Sequence, residues 1–122
     1  NWQARLDQLV STTAADGAAR RIPICITEWG LATDNGRCLS ENSHWNKCMS
    51  YEEAASTLGS VVSAMRGRYG SRLAAIYLYH VHDQRPSGTS TDREMYFGAL
   101  QSNGAVKGPY TSEVQALITA NP

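Results

Sequence analysis

The sequence predicts an α/β fold with parallel strands, of which this chain supplies only a part. Two short apolar runs rich in β-branched and aromatic residues, over 22–28 and 73–81, read as strands. A long amphipathic helix separates them, and a strand, a crossover helix and a second strand make a right-handed parallel pair. Both runs read as buried on both faces. Two parallel strands cannot form a sheet with both faces covered and both edges paired, so further strands are expected, on a missing part of the chain or on another copy.

Each element has its own signal. Residues 1–16 place Trp2, Leu6, Leu9 and Val10 at helical spacing, with Arg5, Asp7 and Gln8 opposite, and Gly17 is expected to stop the helix. The run Ile22-Pro23-Ile24-Cys25-Ile26-Thr27 suits a strand, Pro23 is tolerable near its start, and Cys25 is expected as a small buried thiol. Residues 30–50, with Asp34-Asn35-Gly36, Asn42, Ser43 and Asn46, form a turn-rich loop whose length implies that it is functional or stapled. Cys38 and Cys48 sit ten apart in it without C-x-x-C metal spacing. They read as a disulfide closing the loop, the alternative being two unrelated free thiols. A bridge of this kind persists only in an oxidising compartment, so a secreted or periplasmic protein is expected.

Ser50-Tyr51-Glu52-Glu53 is a capping box, and Tyr51, Ala54, Ala55, Leu58, Val61, Val62, Met65 and Tyr69 form the apolar stripe of a helix over 51–69 that Gly70 ends. The second strand is followed by a loop over 82–108, which contains the apolar stretch Met95–Leu100 and the turn Ser102-Asn103-Gly104. Pro109 suits a first helical turn, and Tyr110, Val114, Leu117 and Ile118 give a last amphipathic helix over 109–120.

Composition narrows the function. With 11 basic and 11 acidic residues the net charge is zero, which argues against a nucleic-acid or membrane-surface partner. Hydrophobic residues at 42% and charged residues at 18% are ordinary for one globular domain and too apolar for disorder. No run approaches the roughly 20 apolar residues of a membrane span. The opening at Asn1, within a helix and without an initiator Met or a leader, leads to the expectation that the chain is part of a larger product.

The motif that carries chemistry is Ile26-Thr27-Glu28-Trp29-Gly30. It places a carboxylate at the C-terminal end of a parallel strand, the edge where active sites of such folds collect. The plainer alternative is a strand-end Glu paired with an Arg or a loop amide. Trp29 offers a flat apolar face for a sugar ring, or simple packing.

With Ile76-Tyr77-Leu78-Tyr79-His80-Val81-His82-Asp83 and then Tyr96-Phe97-Gly98-Ala99-Leu100 through Gly104, Lys107 and Tyr110, this motif resembles the last quarter of a clan A retaining glycoside hydrolase. The nearest matches are cellulase-like and xylosidase-like (β/α)8 TIM barrels. The resemblance covers most of the chain, from the sixth helix through the eighth. It implies that Glu28 is the nucleophile at the end of the seventh strand, and that Trp29, Tyr79 or His80 contact the carbohydrate substrate. No cofactor and no metal are expected.

The chain departs from that family in two respects. Retention needs two carboxyl groups about 5 Å apart, one attacking the anomeric carbon and one protonating the leaving oxygen. The family's acid/base Glu, usually after an Asn on the fourth strand, has no counterpart here. Asp83 is the one local candidate on the same edge, and its alternative role is to fix a loop through backbone amides, Arg85 or Arg93. The Trp often found at the end of the eighth strand is also missing. His80-Val81-His82-Asp83 would make a metal site only with a third partner such as His44, and polar residues at a barrel mouth explain it better. There is no Gly-rich phosphate loop after a strand and no G-x-S-x-G elbow.

Two functions in different classes follow. One is the C-terminal part of a secreted retaining glycosidase that requires strands one to six. The other is a non-catalytic barrel fragment that self-associates through its strand edges or binds carbohydrate as a module.

Overall fold

The computed structural model describes residues 2–14, 23–38 and 48–120. The elements are α1 (Trp2–Ala14), β1 (Ile24–Trp29), α2 (Tyr51–Tyr69), β2 (Leu73–Leu78) and α3 (Pro109–Thr119), with 3-10 turns at Gly70–Arg72 and Arg93–Tyr96. The helix end at 15–16 with Gly17, the strand start at Ile22, and loop residues 39–47 with His44 lie outside the described residues, as do the side chains of Trp2 and Leu9.

β1 and β2 pair in parallel, and α2 makes the crossover between them. The capping box starts α2: Glu53 N–H donates to Ser50 Oγ at 3.1 Å, and Ser50 N–H donates to Glu53 Oε2 at 2.9 Å. Gly70 ends it at φ 52°, a left-handed conformation that glycine adopts without the Cβ clash, while its N–H still donates to Arg66 O.

Ala54, Leu58, Val62, Met65 and Tyr69 are the buried stripe of α2, and Tyr110 and Val114 are that of α3. Ala54, Leu58 and Val62 pack on Tyr110 and Val114, and Trp29, Ile76 and Leu78 close over the same cluster. Both helices therefore cover one face of the two-stranded sheet. Each large aliphatic side chain fully buried in such a core stabilises it by about 1.5–3 kcal/mol.

Among the described residues nothing covers the opposite face. Cys25 and Thr27 are exposed and Tyr77 is 60% exposed. This corrects the expected buried thiol and the strands buried on both faces: β1 alternates half-buried and exposed residues, and Cys25 falls on the side that no described element covers. Ile118, expected on the packed face of α3, is 64% exposed. It lines an apolar groove of about 670 Å³ that runs along the whole of β2, between Leu73–Leu78 and the side chains of Leu58, Val62 and Leu117.

α1 is tied to the end of α2 by Asp7, which accepts two hydrogen bonds from the Arg68 guanidinium and one from Tyr69 Oη at 3.0 Å. The hydrogen bond from Arg68 holds the Asp7 carboxyl below the usual carboxylate range.

Candidate functional site at the C-terminal end of the strands

Glu28 owes its orientation to an irregularity in β1. Ile26 pairs with Ile76 and Trp29 with Leu78, so β1 carries three steps where β2 carries two. In a regular strand Ile26 and Trp29 would point to opposite faces. The extra residue returns Trp29 to the helix-covered face, where it packs on the core, and leaves Thr27 and Glu28 both exposed. Bulges beside active sites commonly re-aim a side chain in this way.

Beyond Trp29 the two strands stay joined by Tyr79 N–H, which donates to Trp29 O at 2.9 Å. The chain then leaves the sheet. His80 N–H donates to Phe97 O, Ala99 N–H to His80 O, Leu100 N–H to Val81 O and Asp83 N–H to Leu100 O, all at 2.9–3.0 Å. The second strand therefore ends at Leu78 and not at residue 81, because the 97–100 segment folds back and takes the backbone partners of 80–83. His80 and His82 consequently do not share a strand face.

Glu28, Trp29, Gly30, Tyr79, Glu94 and Phe97 line one pocket of about 210 Å³. Tyr79 meets Phe97 edge-on, with ring centroids 6.0 Å apart. Gly30 makes this closeness possible: a Cβ there would lie 2.4 Å from Tyr79 O and 2.8 Å from Phe97 Cδ1. Of the expected sugar contacts, the fold brings Trp29 and Tyr79 together with Glu28. His80 stacks on Tyr79 with centroids 3.4 Å apart but lines the apolar groove along β2. That groove is larger, and among the described residues no carboxylate lines it. The Glu28 carboxylate has no partner among the described residues.

Asp83 sits below this edge in a buried hub. Its Oδ1 accepts from Gly98 N–H at 2.9 Å and from Lys107 Nζ at 2.7 Å. Lys107 Nζ also donates to Thr33 O at 2.7 Å and Tyr96 O at 3.3 Å. One ammonium thus ties together the loop after β1, the loop after β2 and the approach to α3. Burial pushes the Asp83 carboxyl up and the Lys107 ammonium down, each opposed by the other's charge. Asp83 fixes a loop, and its cation is Lys107, not Arg85 or Arg93. Gly98 is packed so closely that a Cβ would lie 2.2 Å from Asp83 N.

Asp34, fully buried, accepts from Gly88 N–H at 2.8 Å and clamps the two loops a second time. Cys38 and Cys48 form a disulfide with Cα atoms 5.8 Å apart, and Cys48 packs with Ala32 and Tyr96 under the same loops. Sequence reasoning took Lys107 only as part of a chain-closing pattern and Asp34 only as a turn residue. No local signal marks either, because their side-chain partners lie 11 to 74 positions away.

Among the described residues no three His, Cys, Asp or Glu side chains come together to hold a metal ion, and no helix is long and apolar enough to cross a membrane. Compared with protein-family models, with curated proteins and with solved structures, the chain shows no significant match.

Proposed function

We propose that this chain forms the seventh and eighth strand–helix units of a retaining glycoside hydrolase of the (β/α)8 type, cellulase- or xylosidase-like, with Glu28 as nucleophile. The observation that carries this reading is the bulge at the end of β1, which packs Trp29 on the core and turns an unpaired Glu28 carboxylate onto the helix-free face, at a pocket that Tyr79 also lines. In a barrel that face looks inward and the strand ends form the rim, where catalytic groups sit. The one-sided helix layer, the uncovered face with Cys25, Thr27 and Tyr77, and the apolar groove along β2 all fit a sheet that continues beyond two strands.

In the retaining reaction the Glu28 carboxylate attacks the anomeric carbon as the leaving oxygen takes a proton, and water then releases the sugar from the carboxylate. The proton donor is a Glu supplied by strands one to six. Asp83 does not serve, since its carboxylate is held by Lys107 and the Gly98 amide. The Cys38–Cys48 bridge fits a secreted or periplasmic enzyme. The test is hydrolysis of an activated aryl glycoside by the polypeptide that carries all eight strands, with Glu28→Gln expected to abolish turnover and keep the fold.

A second reading, a non-catalytic fragment that self-associates, is favoured by the same uncovered β2 groove in a chain without an acid/base partner for Glu28. Native mass decides between them: copies of a 13.3 kDa chain closing on themselves favour the fragment, and a heavier companion favours the barrel.

A further inference from the structure

Glu94 is the residue of the pocket that the nucleophile reading leaves unused. It lies on the 3-10 turn Arg93–Tyr96, whose first N–H groups are capped when Asp92 Oδ1 accepts from Glu94 N–H at 2.9 Å. The turn is anchored by Tyr96, which is fully buried and whose Oη accepts from Thr89 N–H at 3.0 Å and Ser90 N–H at 2.7 Å. Glu94 itself is exposed, and its carboxylate has no hydrogen-bond or ion-pair partner among the described residues. An unpaired carboxylate therefore belongs to a residue that lines the same space of about 210 Å³ as Glu28, Tyr79 and Phe97. Among the described residues no Lys or Arg lines that space.

We infer that Glu94 is a specificity-determining residue of this pocket, accepting hydrogen bonds from the hydroxyl groups of an uncharged sugar ring seated against Tyr79 and Phe97 and, with Glu28, excluding anionic sugars. The inference rests on the carbohydrate reading of the site. Aromatic rings supply an apolar face for the C–H side of a pyranose, and a carboxylate is the strongest available acceptor for paired hydroxyls. A uronate carboxylate in the same space would meet two like charges with no cation to offset them.

The experiment is an NMR titration of the isotope-labelled polypeptide that carries all eight strands, at low ionic strength, with cellotetraose, xylotetraose, mannotetraose and tetragalacturonate. At least one neutral tetraose is expected to move the Tyr79, Phe97 and Glu94 amides, and tetragalacturonate to leave them in place. Glu94→Gln should weaken the neutral ligand by about tenfold, and Glu94→Lys should admit tetragalacturonate, with spectral dispersion confirming that both variants fold. Neutral binding at Tyr79 and Phe97 that neither variant alters overturns the role of Glu94 and leaves the carbohydrate site standing. Tetragalacturonate binding as well as the neutral ligands do overturns the charge selection. If no saccharide moves these signals, the inference fails together with the carbohydrate reading.

Discussion

The Lys107 ammonium lies 2.7 Å from Asp83 Oδ1, with both side chains almost wholly buried and 24 positions apart in the chain. A buried pair of this kind contributes little net stability beyond an apolar alternative, but removing one partner leaves an uncompensated charge. Lys107→Met is therefore expected to lower unfolding stability by about 3–5 kcal/mol. The double variant with Asp83→Asn should lose less than the sum of the two singles, since both act on one interaction. Urea unfolding of the four proteins checks this, and a loss below about 1 kcal/mol for Lys107→Met would show that the hub does not hold the loops.

Gly30→Ala probes how tightly the strand ends close. The added carbon would sit 2.4 Å from a backbone oxygen, so the Tyr79 strand end and not merely a flexible side chain must move. A cost of about 1–3 kcal/mol is expected, with a shift of the Phe97 ring signals. Thermal unfolding and NMR read both, and an unchanged melting temperature would contradict the packing described.

Opening the Cys38–Cys48 bridge should act locally. Its ten-residue closure is worth at most about 3 kcal/mol by loop entropy. Hydrogen exchange is expected to rise at Thr33 and Met49, whose N–H groups donate to Tyr96 O and Ala32 O beneath the bridge, and to stay slow in the α2 residues packed on α3. Uniform acceleration across both helices would show that the bridge supports the whole core. Mass spectrometry that finds both thiols free in oxidised protein would refute the bridge itself.

Tyr110 carries an alkaline signature. Burial pushes its phenol up to about 12 from 10.0, so the folded protein keeps a proton that the unfolded chain releases. The raised value means that stability from this group is present below pH 10 and is lost as pH rises from 10 to about 12. Tyr110→Phe should flatten that part of the stability profile. Phenolate absorbance measured alongside unfolding checks the sign, and ionisation of Tyr110 near 10 in the folded state would overturn it.

Much of the fold was legible because it rests on local signals. The capping box at Ser50 and the stripe from Ala54 to Tyr69 define α2 without reference to the rest of the chain. Pro109 and Tyr110 do the same for α3. What escaped depends on distant partners. The apolar run 73–81 gave no sign that 97–100 would take its last backbone groups. Cys25 looked buried because an apolar run does not reveal which face its neighbours cover. Within the site, Glu28 and Trp29 were visible from their place at a strand end, whereas Glu94 entered the pocket through a loop fold that Tyr96 anchors.

Covalent trapping tests the central claim most directly. The polypeptide that carries all eight strands, incubated with an activated 2-deoxy-2-fluoro glycoside, should gain the mass of one glycosyl group, and peptide mapping should place it on Glu28. Labelling of a different carboxylate, or steady turnover of an aryl glycoside by Glu28→Gln, would contradict the account.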